Sequence, residues 1–532
     1  MNRWFEWVRR IFIAAAITLA LSGCGATVPD THTVRVAIRG PLTTLDPLLV
    51  FSYEANSVDE AIFDGLVKID PRGDVVPDLA RVVPSVRNGG ISPDGRTITY
   101  HLRRGVRWQD GVPFTSADVA FTFDLLRDPH IDGPNRAIYG LVSSLQTPDR
   151  YTVRVHLRRP YAAAVARLFC IGENGAIVPK HLLQHSRDIN RDDFNVHPIG
   201  TGPYELVSWA RGSRVDLRAN PGYFEGRPHI KHLELLEVPD DSTLLSLLRT
   251  HEIDVATIPP SLIPAVRHDS AIRILTAPTR TAIYLAFNLI RSPFDDRRIR
   301  TALALGLDRH RIARVVSLGT ARAADSLISP MSWAYTPENA APAYDVARAN
   351  ELLDASGWRR GSGGMRSKNG QMLAIGLVTF QAPTVRAMAL LIQDAWRNLG
   401  ASVSVRVVSG NMLYGDGLLS KGRYDVALLG QGFDADPDLT EFITGRYVPP
   451  LGDNFARYRD VDIDRWSDVA LRRSSRPARA VIYARIIRRL NKDLPYIPIA
   501  WLSTIYAVDA RLRGFRPETL NSDFWNVANW RR

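Results

Sequence analysis

Three acidic residues at alternate positions, Asp434, Asp436 and Asp438, are the most concentrated chemical feature of this 532-residue chain. Such spacing occurs in calcium-binding loops, which also need glycine at the sixth position and glutamate at the twelfth. Leu439 and Gly445 occupy those positions here. The run therefore favours either an acidic turn or a carboxylate that contacts a ligand, and we expect no bound metal ion.

The other candidates for catalysis do not form a complete set. His181 and His185 are spaced for one face of a helix, but no glutamate accompanies them, which favours a surface pair. Residues 430–435 fit the loose dinucleotide-binding fingerprint, yet Asp434 would direct a carboxylate at the pyrophosphate. The GxSxG, phosphate-loop and SxxK motifs are absent from the sequence. We therefore predict neither an enzyme nor a resident cofactor.

Cys24, one of two cysteines, follows a basic head and the short apolar run 11–21. That run suits a signal peptide but is well short of the roughly 20 residues of a spanning helix. Cleavage before Cys24 would expose an amine and a thiol for acylation; an uncleaved anchor or a different cleavage site is the alternative. We predict a signal peptide over 1–23 and a tether over 24–31. Cys170 lies in an apolar segment and is expected in a core.

Composition is that of a globular protein, with 45% hydrophobic and 23% charged residues. The net charge of +12 could suggest nucleic acid, but the arginines are scattered and interleaved with acids. A diffuse basic surface beside an anionic membrane is the simpler interpretation, and no nucleic-acid partner is predicted.

The elements that position these residues alternate between strands and helices. Residues 372–408 have a strand–helix–strand pattern, which predicts a βαβ unit in a parallel sheet. Residues 423–430 predict a strand directly before the acidic run. Residues 52–65 predict a helix ending near Gly65, and 295–316 predict one long amphipathic helix.

Nine segments in this order resemble the extracytoplasmic solute-binding proteins of the peptide/nickel class of ABC transporters, the dipeptide- and oligopeptide-binding group. The segments are 45–47 (LDP), 62–80, 92–123, 199–209 (IGTGPYELVSW), 220–228 (NPGYFEGRP), 247–255, 285–309, 344–358 and 423–438 (RYDVALLGQGFDADPD). They extend over nearly all of the chain that follows the predicted signal peptide.

This resemblance implies an α/β, two-lobed periplasmic-binding-protein-like fold with an α+β subdomain inserted in the first lobe. The first lobe would comprise residues 32–283 and 498–532, with the inserted subdomain at about 56–190, and the second lobe residues 284–497. The chain would cross between the lobes near Thr281–Asn288 and Pro495–Trp501.

The resemblance also implies the ligand site. In peptide-binding relatives an aspartate after the matching strand captures the peptide's amino terminus, and the matching residue is Asp434; capping of the next helix is the alternative. Relatives often have tryptophan three residues earlier, where this chain has Gln431 and then Gly432, which implies a more polar or roomier pocket. Phe51 and Tyr53 match another ligand-facing stretch.

Two further candidates for ligand contact are Tyr139 and Asn288, with core packing and support of the hinge backbone as their respective alternatives. By the same resemblance, the protein would be an extracytoplasmic monomer that delivers a peptide to an ABC permease. Independently, Leu21-Ser22-Gly23-Cys24 resembles the lipobox of bacterial lipoproteins, which implies a lipid tether at Cys24. A ligand sensor or a holdase without transport remains an alternative. So does the same receptor role for a nickel complex, haem or a sugar.

Overall fold

The computed structural model describes residues 32–50, 52–133, 136–415, 417–517 and 523–532. Its strands are β1 (Thr33–Ile38), β2 (Val67–Ile69), β3 (Val75–Pro77), β4 (Thr97–His101), β5 (Val142–Asp149), β6 (Thr152–Leu157), β7 (Tyr204–Ala210), β8 (Arg214–Ala219), β9 (His232–Glu237), β10 (Val255–Thr257), β11 (Ile272–Phe287), β12 (Arg322–Ala323), β13 (Arg359–Arg360), β14 (Arg366–Lys368), β15 (Gln371–Met372), β16 (Ala374–Phe380), β17 (Ser402–Val408), β18 (Val426–Gly432) and β19 (Tyr496–Asp509).

Its α-helices are Tyr53–Ile62, Ser116–Arg127, Arg136–Tyr139, Ala164–Arg167, Lys180–Leu183, Asp241–Arg249, Ile263–Val266, Arg297–Leu305, Arg309–Val316, Val346–Ala355, Pro383–Asn398, Gly410–Tyr414, Thr440–Ile443, Val461–Arg472 and Arg476–Asp493. Within the described residues, no helix combines the length and the apolarity needed to cross a bilayer.

One mixed sheet contains eleven of the described strands. Its order is β17-β16-β18-β11-β19-β10-β1-β9-β8-β7, with β12 paired to β19 beside this path. β1 is parallel to β9 and β10, and β16 is parallel to β17 and β18. Between these two parallel groups lie β11 and β19, antiparallel strands of 16 and 14 residues that connect the ends of the sheet.

Hydrophobic cores cover both faces of this sheet at each end. Around β1, Val34 and Trp530 belong to one core, whereas Ala37 belongs to a smaller core on the opposite face. Around β18, Ile283 of β11 faces one core and the adjacent Tyr284 faces the other. This alternation follows from the two-residue period of a strand. We refer to the part around the first pair of cores as the first lobe and to the part around the second pair as the second lobe.

The predicted βαβ unit is confirmed. β16, helix Pro383–Asn398 and β17 follow one another, and the two strands pair in parallel from Ala374 opposite Ser402 to Phe380 opposite Val408. The helix buries Trp396 completely, and its indole N–H donates to the carbonyl of Leu303 at 3.0 Å. Cys170 is also buried in a core, as predicted.

The prediction of one continuous helix over 295–316 was wrong. The segment forms helices Arg297–Leu305 and Arg309–Val316, because Gly306 ends the first and the Asp308 side chain caps the second by accepting from the Arg311 N–H at 2.9 Å. A Cβ at Gly306 would lie 2.5 Å from the Leu399 side chain. The absence of a side chain at Gly306 therefore lets the end of helix Pro383–Asn398 pack closely against the break between the two helices.

The first helix also ends earlier than predicted, at Ile62 instead of near Gly65. The Ile62 carbonyl accepts from the Gly202 N–H at 2.8 Å, so a loop distant in sequence takes the place of the next helical turn. A Cβ at Gly200 would lie 1.8 Å from that carbonyl oxygen. Glycine is therefore required where this loop meets the helix end.

Asp46, in the first lobe, is a buried carboxyl whose pKa differs from its ordinary value. Asp46 is fully buried; one oxygen accepts from the Leu48 N–H at 2.9 Å, and the other has no hydrogen-bond partner in the described part of the chain. Burial raises its pKa from 3.8 to about 7, with a smaller contribution from Asp192. Asp59 is also buried, and burial together with the charges of Asp46 and Glu60 raises its pKa well above the usual value.

We expect Asp46→Asn to flatten the pH dependence of unfolding. Because the folded-state pKa lies above the unfolded value of 3.8, the contribution of Asp46 is fully present below about pH 4 and is lost as the pH rises through about 7. The free energy of unfolding of the wild type relative to Asp46→Asn should therefore fall by about 3 kcal/mol between about pH 5 and pH 8. Urea titrations at both pH values measure it, and parallel profiles would show that Asp46 does not titrate in this range.

Candidate functional site

Asp434 follows the end of β18, where that strand pairs with β11. The last pair joins Gly432 to Thr281, after which the Phe433 N–H donates to the Arg280 carbonyl at 3.1 Å. The Phe433 ring packs on Trp501 of β19, with centroids 5.9 Å apart. Backbone pairing and ring packing thus fix the position of Asp434 at the edge of the second lobe.

The Asp434 carboxylate meets a cation from the first lobe. Its Oδ2 lies 2.5 Å from Nη1 of Arg167, the last residue of helix Ala164–Arg167, and the two side chains are 32% and 26% exposed. Burial raises the pKa of Asp434, and the Arg167 guanidinium offsets part of that rise. Burial by itself lowers the pKa of Arg167. The negative charge of Asp434, together with other groups near Arg167, has the larger effect and raises this pKa above the usual value. The two charges stabilise each other across the interlobe cleft.

A second ion pair anchors the loop that carries Asp434. Asp436 and Arg479 are buried, and two guanidinium nitrogens donate to the two carboxylate oxygens at 2.6 and 2.5 Å. The same guanidinium contacts the hydroxyl of Tyr483 at 2.9 Å and lies over the Trp333 ring, 5.1 Å from its centroid. This bidentate geometry fixes the loop to helix Arg476–Asp493.

Arg280 of β11 supports the loop from the side of the first lobe. Its Nη1 donates to the carbonyls of Asp434 and Ala435 at 3.4 and 3.3 Å. A Cβ at Gly73, in the turn between β2 and β3, would overlap the Arg280 guanidinium at 1.6 Å, and Gly73 has a φ of +83°. Glycine is needed at this turn for both reasons.

Three further polar contacts connect the lobes. Asp74 and Arg476 form an ion pair of 2.8 Å, the Tyr161 hydroxyl donates to Asp438 at 3.4 Å, and the Ala162 N–H donates to the Leu471 carbonyl at 2.7 Å. A cavity of about 450 Å³ opens beside the last two of these contacts, between residues 137–167 of the first lobe and 438–471 of the second. Its charged lining consists of Arg159, Arg167, Asp438 and Glu441.

The cavity thus has cations on the wall of the first lobe and carboxylates on the wall of the second. Burial raises the pKa of both Asp438 and Glu441. Within the described residues, no group of three or more His, Cys, Asp or Glu side chains is arranged to hold a metal ion. The arrangement suits binding of a small charged ligand.

The comparison with known proteins decides the family. A family model described as bacterial extracellular solute-binding proteins, family 5 Middle, matches residues 74–448. This chain belongs to family 5 of those proteins. Protein XP55 of Streptomyces lividans is 29% identical to it over 515 residues, which cover 94% of this chain and 91% of that protein. Oligopeptide-binding protein AppA of Bacillus subtilis (strain 168) is 24% identical, with coverages of 92% and 90%.

The fold agrees with this family. The crystal structure of NikZ from Campylobacter jejuni in complex with Ni(L-His) matches with a TM-score of 0.78 and 26% identity, covering 94% of this chain and 100% of NikZ. The predicted family and the two-lobed α/β fold are therefore confirmed. As a family 5 member, this chain is an extracytoplasmic solute-binding protein of the ABC-transporter type and not an enzyme.

The structure places only some of the predicted site residues next to Asp434. Gln431 and Gly432 lie at the end of β18 beside Asp434, Gln431 half-buried and Gly432 exposed. Tyr53 is the first residue of helix Tyr53–Ile62. Phe51 and Cys24 lie outside the described residues.

Tyr139 and Asn288, the two further candidates for ligand contact, are both fully buried and bonded to groups of the protein. Tyr139 is fully buried, its ring packs on Phe169 at 5.4 Å, and its hydroxyl accepts from the Phe169 N–H at 3.0 Å. Asn288 is also fully buried and donates to the carbonyls of Gly422 and Tyr424 at 2.9 and 2.8 Å. These are the core-packing and backbone-support alternatives that the sequence left open.

Sequence reasoning missed the residues that face Asp434 from the first lobe. Arg167 lies in the apolar segment ARLFC, and Tyr161 follows a proline with no motif around it. Nothing in their local pattern distinguishes them from surface residues. Only the regular spacing of Asp434, Asp436 and Asp438 gave a signal, and it did not reveal that Asp436 anchors the loop.

We expect Asp436→Asn to destabilise the protein strongly. Removing one partner of a buried ion pair leaves Arg479 charged and uncompensated, which typically costs about 3–5 kcal/mol. The matched control is Asp462→Asn, which breaks the exposed Arg465–Asp462 pair of 2.6 Å and should cost about 1 kcal/mol or less. Urea unfolding measures both; equal effects would show that the Asp436–Arg479 pair does not anchor the loop.

Proposed function

We propose that this protein is a lipid-anchored receptor that binds a short peptide in the interlobe cleft and delivers it to an ABC importer. The observation that carries the proposal is the half-buried carboxylate of Asp434, which faces the first lobe at the end of β18. Arg167 already contacts one oxygen of Asp434, so a ligand cation would share or replace this contact. A carboxylate in a closing cleft favours such a ligand, because a buried charge is costly unless it is compensated. The free amine of a peptide supplies that charge.

The cavity lined by Arg167, the partner of Asp434, supports a short ligand. Its volume of about 450 Å³ lies toward the lower end of the roughly 300–1,000 Å³ typical of small-molecule sites. The name of AppA, an oligopeptide-binding protein, supports a peptide, whereas the Ni(L-His) complex of NikZ makes a metal complex the competing ligand class. Binding would stabilise the closed arrangement only through contacts that the open one lacks.

We also propose that the residues next to Asp434 shape this site. Gln431 and Gly432 bring no large ring to the cleft wall, and the Gln431 amide donates to the Gly432 carbonyl at 3.0 Å, which favours a polar pocket. Phe51 and Tyr53 remain proposed ligand contacts. The aromatic Phe433 supports the wall from behind, because it packs on Phe442 with centroids 5.3 Å apart.

The proposed lobes are residues 32–283 with 498–532, and 284–497, with an inserted subdomain at about 56–190. Support comes from the interruption of the β11–β19 pairing between Pro278 and Ala282. Strands β4, β5 and β6 form a sheet of their own, although their buried residues share the core that contains Val34. We propose that the lobes move about the interrupted segment and that the protein acts as a monomer.

We expect Asp434→Asn to remove selection for a free amine. A neutral amide of the same shape no longer compensates an ammonium group, so affinity for dialanine should fall at least about tenfold, while affinity for N-acetyl-dialanine should change little. Isothermal titration calorimetry on the full mature chain measures both. An equal loss for the two compounds would contradict amine recognition by Asp434.

If lipid is attached at Cys24, membrane association should be lost on its substitution without any loss of ligand binding. Cys24→Ser should release the protein from membranes, because acyl chains provide about 0.8 kcal/mol per buried methylene and the variant would carry none. Ligand affinity should be unchanged, since the tether precedes the first strand. Fractionation of cells expressing either form measures the distribution, and a variant that stays in the membrane fraction would show that Cys24 is not the anchor.

A further inference from the structure

The connection between the last two long helices of the second lobe, residues 471–476, is bound by two segments of the first lobe. At its start, the Ala162 N–H donates to the Leu471 carbonyl at 2.7 Å. At its end, Asp74 forms an ion pair of 2.8 Å with Arg476. Both contacts join one lobe to the other and consist of protein atoms alone. We refer to residues 471–476 as the helix connection.

The hydrogen bond from Ala162 completes a helix that belongs to the opposite lobe. Leu471 lies in the last turn of helix Val461–Arg472, where carbonyl groups have no amide of the same helix to accept from. Leu471 is buried, so its carbonyl needs a partner inside the protein. The first lobe supplies that partner, and separation of the lobes removes it.

The turn that carries Asp74 is fixed by its own hydrogen bonds. Oδ1 of Asp70 accepts from the N–H groups of Arg72 and Asp74, each at 2.9 Å. The Asp70 carbonyl accepts from the Gly73 N–H at 2.7 Å. The Asp74 carboxylate therefore reaches Arg476 from a defined support, although the two side chains are 52% and 49% exposed.

On the side of the second lobe, Arg476 lies next to the anchor of the loop that carries Asp434. The guanidinium groups of Arg476 and Arg479 both lie over the Trp333 ring, 5.8 and 5.1 Å from its centroid. Arg479 also binds both carboxylate oxygens of Asp436. One aromatic ring thus connects the helix connection to the ligand-site loop.

We propose that the helix connection is a latch that holds the two lobes together by protein contacts alone. Its contacts with Asp74 and Ala162 form when the lobes close and are lost when they separate, so the latch sets the closed fraction of the ligand-free protein. A ligand held by the closed form binds in proportion to that fraction, so a weaker latch lowers the affinity for every ligand by the same factor. The latch acts whatever the cleft binds, and it does not depend on the proposed peptide recognition.

The test reverses the charges of the ion pair in the full mature chain. Asp74→Arg and Arg476→Asp each place two like charges in contact, and the double variant restores an opposite pair with the positions exchanged. Hydrogen–deuterium exchange without ligand measures the Ala162 amide, which is not part of the ion pair. We expect each single reversal to raise its exchange rate about threefold or more, and the double variant to return it to within about twofold of the wild type.

Unchanged exchange at Ala162 in both single reversals would overturn the proposal, because the two contacts would not act together. The matched control is Arg348→Asp, which reverses one charge of the exposed Arg348–Glu351 pair of 2.6 Å on the second lobe. This control should leave the Ala162 amide unchanged. An equal rise in the control would show a general response to charge and would also overturn the proposal.

The neutral variant Asp74→Asn gives a milder test that does not introduce repulsion. Ion pairs between partly exposed groups weaken as salt screens them. Raising NaCl from about 0.05 M to about 0.5 M should therefore speed exchange at Ala162 in the wild type and have little effect in Asp74→Asn. The same salt response in both proteins would contradict a contribution of the ion pair to the latch.

Small-angle X-ray scattering measures the separation of the lobes directly. Without ligand, the radius of gyration should be larger in Asp74→Arg and in Arg476→Asp than in the wild type, and the double variant should return to the wild-type value. Equal radii in all four proteins would overturn the proposal. Because these measurements use no ligand, a failure of peptide recognition would leave their outcome unaffected.

Discussion

The antiparallel pairing of β11 with β19 is the constraint on which the rest of the structure depends. These two strands join the parallel groups of strands at the ends of the sheet, so both lobes share one hydrogen-bonded framework. The pairing is interrupted between Pro278 and Ala282, close to the point where β18 ends against Thr281. The loop that bears Asp434 therefore leaves the sheet where the two lobes meet.

Ion pairs and hydrogen bonds from charged side chains hold the region where the two lobes meet. The Arg280 contacts and the buried Asp436–Arg479 pair fix the backbone from Asp434 to Asp436, and the Asp434 carboxylate faces the first lobe. The polar contacts between the lobes, including Arg167–Asp434 and Asp74–Arg476, involve partly exposed groups. Exposed ion pairs contribute little to stability, so contacts of this kind suit a cleft that opens and closes.

Much of the fold followed from local patterns. The strand–helix–strand segment at 372–408 and the strand before the acidic run were predicted, because an element buried on one face keeps its periodicity and a strand buried on both faces appears as a short continuous apolar run. The broken helix over 295–316 and the early end of helix Tyr53–Ile62 were missed. Both depend on a close approach by residues far away in sequence, such as Leu399 and Gly202.

The sequence by itself determined the family, the two-lobed α/β class and the position of Asp434 after a strand, because these depend on periodicity and on motifs in order along the chain. Only the tertiary structure decided which side chains meet that carboxylate. Arg167 is more than 260 positions away from Asp434 in the chain, and no local pattern marks it. Contacts across a cleft are set by how the lobes pack, so charge pairing between lobes is a property of the fold and not of any one segment.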